Sequence, residues 1–328
     1  MTSMRPTVAD LFAEKGMTQR ANVYVDSLDE ARAAGDAGVG IVTVQDSMMS
    51  ADVREAATNA FMVAGLEYGV HVTTDDYLRA GFEMMLLGAD AVWSAASLET
   101  ISRMRAEGIP VVGHVGLIPA RRTWTGGFRA VGKTADSAIE VFRQTKALEE
   151  AGAFAAEIEV VPAAVASAIS ARTSLYMISM GSGSGCDAQY LFSTDILGTN
   201  RGHVPRHAKQ YRDLAAEEDC LQAERVAAFA EYVADVGSGA FPATEQLVGI
   251  ADAELAAFEA ALESHGRGMS TGSVDEDSAM STGSVDVSGS SRSDHVDGVG
   301  ISTPFAPLTN QVSAPGAETG GSVEEKDD

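Results

Sequence analysis

Cysteine is nearly missing: Cys186 and Cys220 are the only two among 328 residues. That is too few for a disulfide framework, which excludes the small stapled secreted folds and fits a reducing compartment. Lysine is scarce as well, confined to Lys15, Lys133, Lys146, Lys209 and Lys326. Lys and Arg together number 23 against 47 Asp and Glu, a formal net charge of -24. Phosphate binding needs clustered positive charge, so neither nucleic acid nor an anionic membrane is an expected partner. No apolar run is long enough to cross a bilayer, and a cytoplasmic location is expected. Such an acidic surface reads in two ways, as a solubilising coat or as adaptation to high salt, where screening relieves carboxylate repulsion.

Apolar residues are in ordinary supply, at 45%, enough for a sizeable core. They stop abruptly near Ser264, where Gly, Ser, Thr and Asp take over and Ser270-Thr-Gly-Ser-Val-Asp275 recurs as Ser281-Thr-Gly-Ser-Val-Asp286. A segment so poor in apolar surface cannot offset its ordering entropy, so residues 264–328 are expected to form a disordered acidic tail. The division expected is a lead-in over 1–20, one folded domain over 21–263, and the tail.

Within the body, short β-like runs alternate with amphipathic stretches. Asn22–Val25 is followed by Ser27-Leu-Asp-Glu30, a capping-box pattern. Ile41–Val44 comes next, then a helix over Asp52–Tyr68 and a third strand at Val70-His-Val-Thr73, with Thr74 as the cap of the following helix. Ala91–Trp93, Val111–Val115, Ala156–Val160, Tyr176–Met180 and Gln189–Ser193 complete eight strand candidates. Strands separated by helices argue for a parallel sheet, and eight such units close into a (β/α)8 TIM-type barrel. An open doubly wound sheet would carry a Gly-rich phosphate turn after its first strand, and none follows Val25.

Barrels of this kind work at the C-terminal ends of their strands. The rule selects Asp46 and Ser47 after strand two, Thr73 to Asp76 after strand three, Trp93 to Ala95 at strand four, His114 at strand five, Glu159 at strand six, and Ser182 to Asp187 after strand seven. Glu159 stands between Ile158 and Val160, where apolar neighbours can raise a carboxyl pKa towards a value useful in a base; the alternative is a rim charge. Asp46 suits a divalent cation or a helix N-cap. His114 lies in Val112-Gly-His-Val-Gly116, whose glycines admit a ligand, or is a satisfied core histidine. Gly181-Ser-Gly-Ser-Gly185 has no following Lys and is a weak phosphate-loop candidate.

Longer stretches carry a resemblance. Val112-Gly-His-Val-Gly-Leu-Ile-Pro119, Gly126-Gly-Phe-Arg-Ala-Val-Gly-Lys-Thr134, Glu159-Val-Val-Pro162, Gly185-Cys-Asp-Ala-Gln189, Pro205-Arg-His-Ala-Lys-Gln-Tyr211 and Val236-Gly-Ser-Gly-Ala-Phe-Pro242 are similar to the ketopantoate hydroxymethyltransferase family. Val44-Gln-Asp-Ser47 is similar to the family's Val-Gly-Asp-Ser. The resemblance implies a (β/α)8 barrel, a homo-oligomer, Mg²⁺, and transfer of a one-carbon unit from 5,10-methylenetetrahydrofolate or a related pterin to 3-methyl-2-oxobutanoate. It implies Glu159 as the C3 base, Asp46 as a metal ligand and substrate contact, and Ser47 and His114 as substrate contacts. Two positions depart from the pattern: the family's Val-Lys-Leu-Glu-Gly at strand four is Val92-Trp-Ser-Ala-Ala96 here, so Trp93 replaces a substrate lysine and Ala95 a metal-binding glutamate. The family's strand-three ending, Ala-Asp-Leu-Pro-Phe, is set against Val72-Thr-Thr-Asp-Asp-Tyr77, where two readings stand level: Asp75 or Asp76 as the replacement ligand, or Thr74 with Asp76 as a helix start. A binding-only paralogue within an oligomer and a barrel enzyme for another 2-oxo acid are the competing expectations.

Overall fold

The computed structural model describes residues 5–266. A short helix, α1 (Val8–Glu14), precedes eight strands: β1 (Arg20–Tyr24), β2 (Ile41–Gln45), β3 (Phe61–Gly65), β4 (Ala91–Trp93), β5 (Val111–Gly116), β6 (Ala155–Glu159), β7 (Tyr176–Met180) and β8 (Ala188–Phe192). All neighbours are parallel, and β1 pairs with both β2 and β8, so the sheet closes on itself. The helices between strands are α2 (Leu28–Asp36), α3 (Ala51–Ala56), α4 (Thr74–Leu86), α5 (Leu98–Ala106), α6 (Arg122–Thr125), α7 (Ala135–Glu150) and α8 (Ala163–Ser170). After β8 come α9 (Ser193–Leu197), α10 (Leu214–Ser238) and α11 (Asp252–Gly266). The expected (β/α)8 barrel is the fold. No helix among the described residues is long and apolar enough to cross a membrane.

Side chains alternate along a strand, and the barrel sorts them into two layers. Ala156 and Ile158 of β6 pack outward under the helices with Val111 and Val115 of β5. Val112 and Ala155 point inward with Phe61, Tyr176 and Ile178. Glu157 and Glu159 follow Ala155 at intervals of two, so all three share the inner face. The register sets His114 opposite Glu157 and Gly116 opposite Glu159. Helix α7 is seated where the chain leaves out a side chain: a Cβ on Gly113 would stand 2.7 Å from Leu148 Cδ1. Leu148 is itself buried, worth about 1.5–3 kcal/mol for a fully buried leucine. At the other end, α1 places Leu11 in the inner cluster.

Three expectations change. The third strand is Phe61–Gly65, and α3 ends at Ala56. Every residue of β3 is buried, so its run lacks the alternation that marks a strand and reads as a continued apolar helix. Val70 and Val72 are exposed loop residues, and the segment contributes only an isolated bridge between Tyr68 and His71. The cap of α4 is Thr73, whose side chain accepts from the Asp76 amide while the Asp76 carboxylate accepts from the Thr73 amide. Ser264, His265 and Gly266 continue α11; the rest of the expected tail lies outside the described residues. The chain divides into two compact units, with the break between Glu218 and Asp219 inside α10.

Candidate active site at the mouth of strands five and six

Glu159 is the last residue of β6, and three contacts pin the backbone around it. Leu117 N–H donates to the Glu159 carbonyl at 2.9 Å, Val160 N–H to Met180 O at 2.8 Å, and Val131 N–H to Val160 O at 3.1 Å. Ser182 Oγ donates to Ile158 O at 2.9 Å and accepts from Val161 N–H at 3.0 Å. The glycine run after β7 therefore braces β6; Gly183 O also accepts from Ser179 Oγ and Gln189 Nε2. Val160 is held at φ +50°, a left-handed conformation that a β-branched residue rarely adopts. Opposite, Gly116 has φ +88°, and a Cβ there would lie 2.4 Å from the Glu159 carbonyl oxygen. The glycines flanking His114 thus make room for Leu148 and for β6, not for a ligand.

His114 and two glutamates meet on the inner face. His114 Nε2 is 3.2 Å from Glu159 Oε2 and 4.0 Å from Glu157 Oε1. The 3.2 Å approach is out of line for a hydrogen bond, and neither ring nitrogen has an aligned partner among the described residues. Trp93 Nε1 donates to Glu157 Oε2 at 2.8 Å, and its ring meets the imidazole edge-on with centroids 5.5 Å apart. Burial pushes the Glu157 carboxyl up to about 7; His114 pulls it back and Glu159 pushes it further. Burial opposes charge on His114, but Glu157 and Glu159 outweigh it and raise its pKa above the usual imidazole value. Beneath Glu157 lies a cavity of about 10 Å³ lined in part by Asn22, Thr43, Trp93 and Tyr190, room for about one water.

The other expected residues stand elsewhere on the rim. Asp46 opens a short turn after β2. Its Oδ1 accepts from Ser47 N–H at 2.7 Å and Gln45 Nε2 at 3.3 Å; its Oδ2 accepts from Glu67 N–H at 3.3 Å and pairs with His71 Nε2 at 2.9 Å. Ser47 is exposed. Asp76 is spent on capping α4, and Asp75 beside it is an acidic residue of the same first turn. Among the described residues, the group of three or more potential metal ligands within 4.8 Å of one another is His114, Glu157 and Glu159, and neither Asp75 nor Asp76 joins Asp46 in one. With β3 at Phe61–Gly65, the strand ends on Ala64-Gly65 and is followed by Leu66-Glu-Tyr68, while Asp75 and Asp76 belong to the first turn of α4.

Three residues of this region, Glu157, Arg121 and His207, escaped the reading by strand ends, and a fourth, Trp93, was selected by it without its partner. Glu157 lies one inward position deeper than Glu159, and the period of two was the signal for it. Trp93 was noted as a departure, but its bond to Glu157 depends on the register between strands. Arg121 donates to Ala95 O and stands 6.0 Å over the Tyr68 ring, tying two rim loops together. His207 packs over Gly181, as the close approach of its ring to a Cβ built there shows; burial lowers its pKa against the pull of Glu159 and Asp195. Nothing in local spacing marks these last two.

Fold and site together define a (β/α)8 barrel with a buried cluster of one imidazole and two carboxyls towards its C-terminal mouth. Comparison with known proteins narrows the class: the family model for ketopantoate hydroxymethyltransferase matches residues 1–244, and the chain belongs to that family. It is 33% identical over 289 residues to a 3-methyl-2-oxobutanoate hydroxymethyltransferase of Nitratidesulfovibrio vulgaris, covering 80% of this chain and 92% of the relative. A protein of the same name from Pyrobaculum calidifontis is 33% identical, covering 75% and 98%. One from Deinococcus radiodurans is 38% identical, covering 59% and 68%.

Proposed function

We propose that the chain transfers a one-carbon unit to 3-methyl-2-oxobutanoate, forming 2-dehydropantoate for pantothenate and coenzyme A synthesis, with Glu159 as the C3 base. The observation that carries this reading is the placement of Glu159: a braced carboxylate at the end of a barrel strand, 3.2 Å from the His114 imidazole. In this reading the Glu159 carboxylate takes the C3 proton, and the C–H electron pair becomes an enolate. An N–H of His114 stands ready for the charge that develops on the enolate oxygen. The enolate carbon then bonds to the one-carbon unit of 5,10-methylenetetrahydrofolate or a related pterin. Water supplies the hydroxyl as the two carbon–nitrogen bonds to the carrier break, and the C3 proton and the second water proton leave on the carrier nitrogens. Asp46 and Ser47 are the proposed polar contacts for the 2-oxo acid.

The family implies Mg²⁺ at the Asp46 position, and the residues there do not fit it. Both carboxylate oxygens of Asp46 are already engaged by Ser47, Gln45, Glu67 and His71. Ala95 and Gly65 offer no carboxylate, whereas Mg²⁺ favours a near-octahedral set of oxygens. No step is therefore routed through Mg²⁺. The same substitutions, with Trp93 in place of a lysine, favour a second reading in which the chain binds without turning over.

The test is product formation from 3-methyl-2-oxobutanoate and methylenetetrahydrofolate, followed by mass spectrometry. Turnover that falls at least about 100-fold in Glu159→Gln is expected, the lower bound of the range for a general base. Tight binding of the 2-oxo acid with no product in the wild type would favour the binding-only reading.

A further inference from the structure

We propose that His114, Glu157 and Glu159 form a binding site for one divalent transition-metal ion of the zinc, cobalt or manganese class. Charge is the first argument. Glu157 and Glu159 occupy successive inward positions of β6, with side chains 5% and 10% exposed, and among the described residues the ion-pair partner of both is His114. Two carboxyls withdrawn from water beside one imidazole form a donor set whose charges, once ionised, a dication would neutralise.

The imidazole is the second and independent observation. Its side chain is 2% exposed, yet neither ring nitrogen has an aligned hydrogen-bond partner among the described residues, and Nε2 faces both carboxylates. Buried polar groups are nearly always satisfied, so an orphaned ring aimed at two acids points to a missing ligand. Spacing agrees. Bonds of about 2.0–2.2 Å to nitrogen and carboxylate oxygen set two ligand atoms up to about 4 Å apart. The His114 Nε2 separations, 3.2 Å to Glu159 and 4.0 Å to Glu157, can be spanned by one ion.

Trp93 completes the arrangement. Its N–H holds Glu157 Oε2 at 2.8 Å and leaves Oε1 turned to the imidazole, the kind of outer contact that orients a metal-binding carboxylate. One imidazole with two carboxylates suits zinc, cobalt or manganese better than Mg²⁺, which prefers oxygen alone. The site is separate from Asp46. Glu159 cannot be a metal ligand and a free base at once, so a loaded site would suppress the proposed reaction. Ion binding itself is read without any turnover, so this inference and the proposed function fail separately.

The experiment titrates metal-free, full-length, untagged protein with Zn²⁺ by calorimetry and with Co²⁺ by visible spectroscopy. One ion per chain is expected, with affinity at least about tenfold weaker in Glu157→Gln and His114→Asn and unchanged in Asp46→Asn and His71→Asn. Absence of stoichiometric binding would overturn the site. So would binding that survives His114→Asn but is lost in Asp46→Asn or His71→Asn, which would place the ion at the Asp46–His71 pair. Should the core variants fold poorly, pulsed electron paramagnetic resonance of Mn²⁺-loaded His71→Asn decides: modulation from an imidazole nitrogen is expected, and its absence would refute the assignment.

Discussion

Val160 shows at single-residue scale how the rim is held. Its φ of +50° is costly for a β-branched residue, on the order of 1–3 kcal/mol, and survives because surrounding bonds over-determine it. Met180 O and Val131 N–H grip its two backbone groups, and Ser182 grips Ile158 and Val161. The same bonds hold the backbone on both sides of Glu159. Replacing Val160 by Gly should therefore not show the usual loss of about 0.5–1 kcal/mol for an added glycine; chemical denaturation is expected to find it neutral or stabilised by about 1 kcal/mol. A loss above about 2 kcal/mol would mean that Val160 packing outweighs backbone strain. Glu159 was legible from sequence because a carboxylate at a strand end is a local signal. Glu157, His71 and Arg121 were not, since their roles arise from contacts between different strands and loops.

Among the elements, legibility followed the strength of the local pattern. Helix α2 was clear: the Ser27–Glu30 pattern marks its start, and in the structure the Ser27 side chain accepts from the Glu30 amide while Ala31 and Ala34 are buried. Strand β3 was misplaced, because burial on both faces erased its periodicity. The error reached the site, for Asp75 and Asp76 stand in the first turn of α4 and not at the end of the third strand. The end of α7 also carries a pH-sensitive tie. Burial disfavours the charge on Glu149, but Lys146 and the Ser174 hydroxyl and amide outweigh it and hold the carboxyl at about 2. A depressed carboxyl pKa contributes stability that is present above about pH 4.5 and lost as pH falls towards 2. Solvent beside the pair reduces the contribution to about 1 kcal/mol. Thermal melts should show Glu149→Gln less stable than the wild type by about that amount at pH 7 and equal to it near pH 2; an unchanged gap across that range would remove the tie.

For the whole molecule, the closed parallel sheet was the most readable property, since strands alternate with helices from β1 to β7 and closure follows from eight strands. The pairing of β1 with β8 carries the argument from sequence to chemistry. Closure converts an inward-facing alternation into a shared interior, where residues remote in sequence, Trp93, His114 and Glu159, meet around Glu157. The central claim is that the carboxylate at the end of β6 removes the C3 proton of a 2-oxo acid. It is tested most directly without a one-carbon donor, by following loss of the C3 proton signal of 3-methyl-2-oxobutanoate in deuterated water by NMR. Exchange catalysed by the wild type and reduced at least about 100-fold in Glu159→Gln is the predicted result. Wild-type exchange that persists undiminished in Glu159→Gln would contradict the claim.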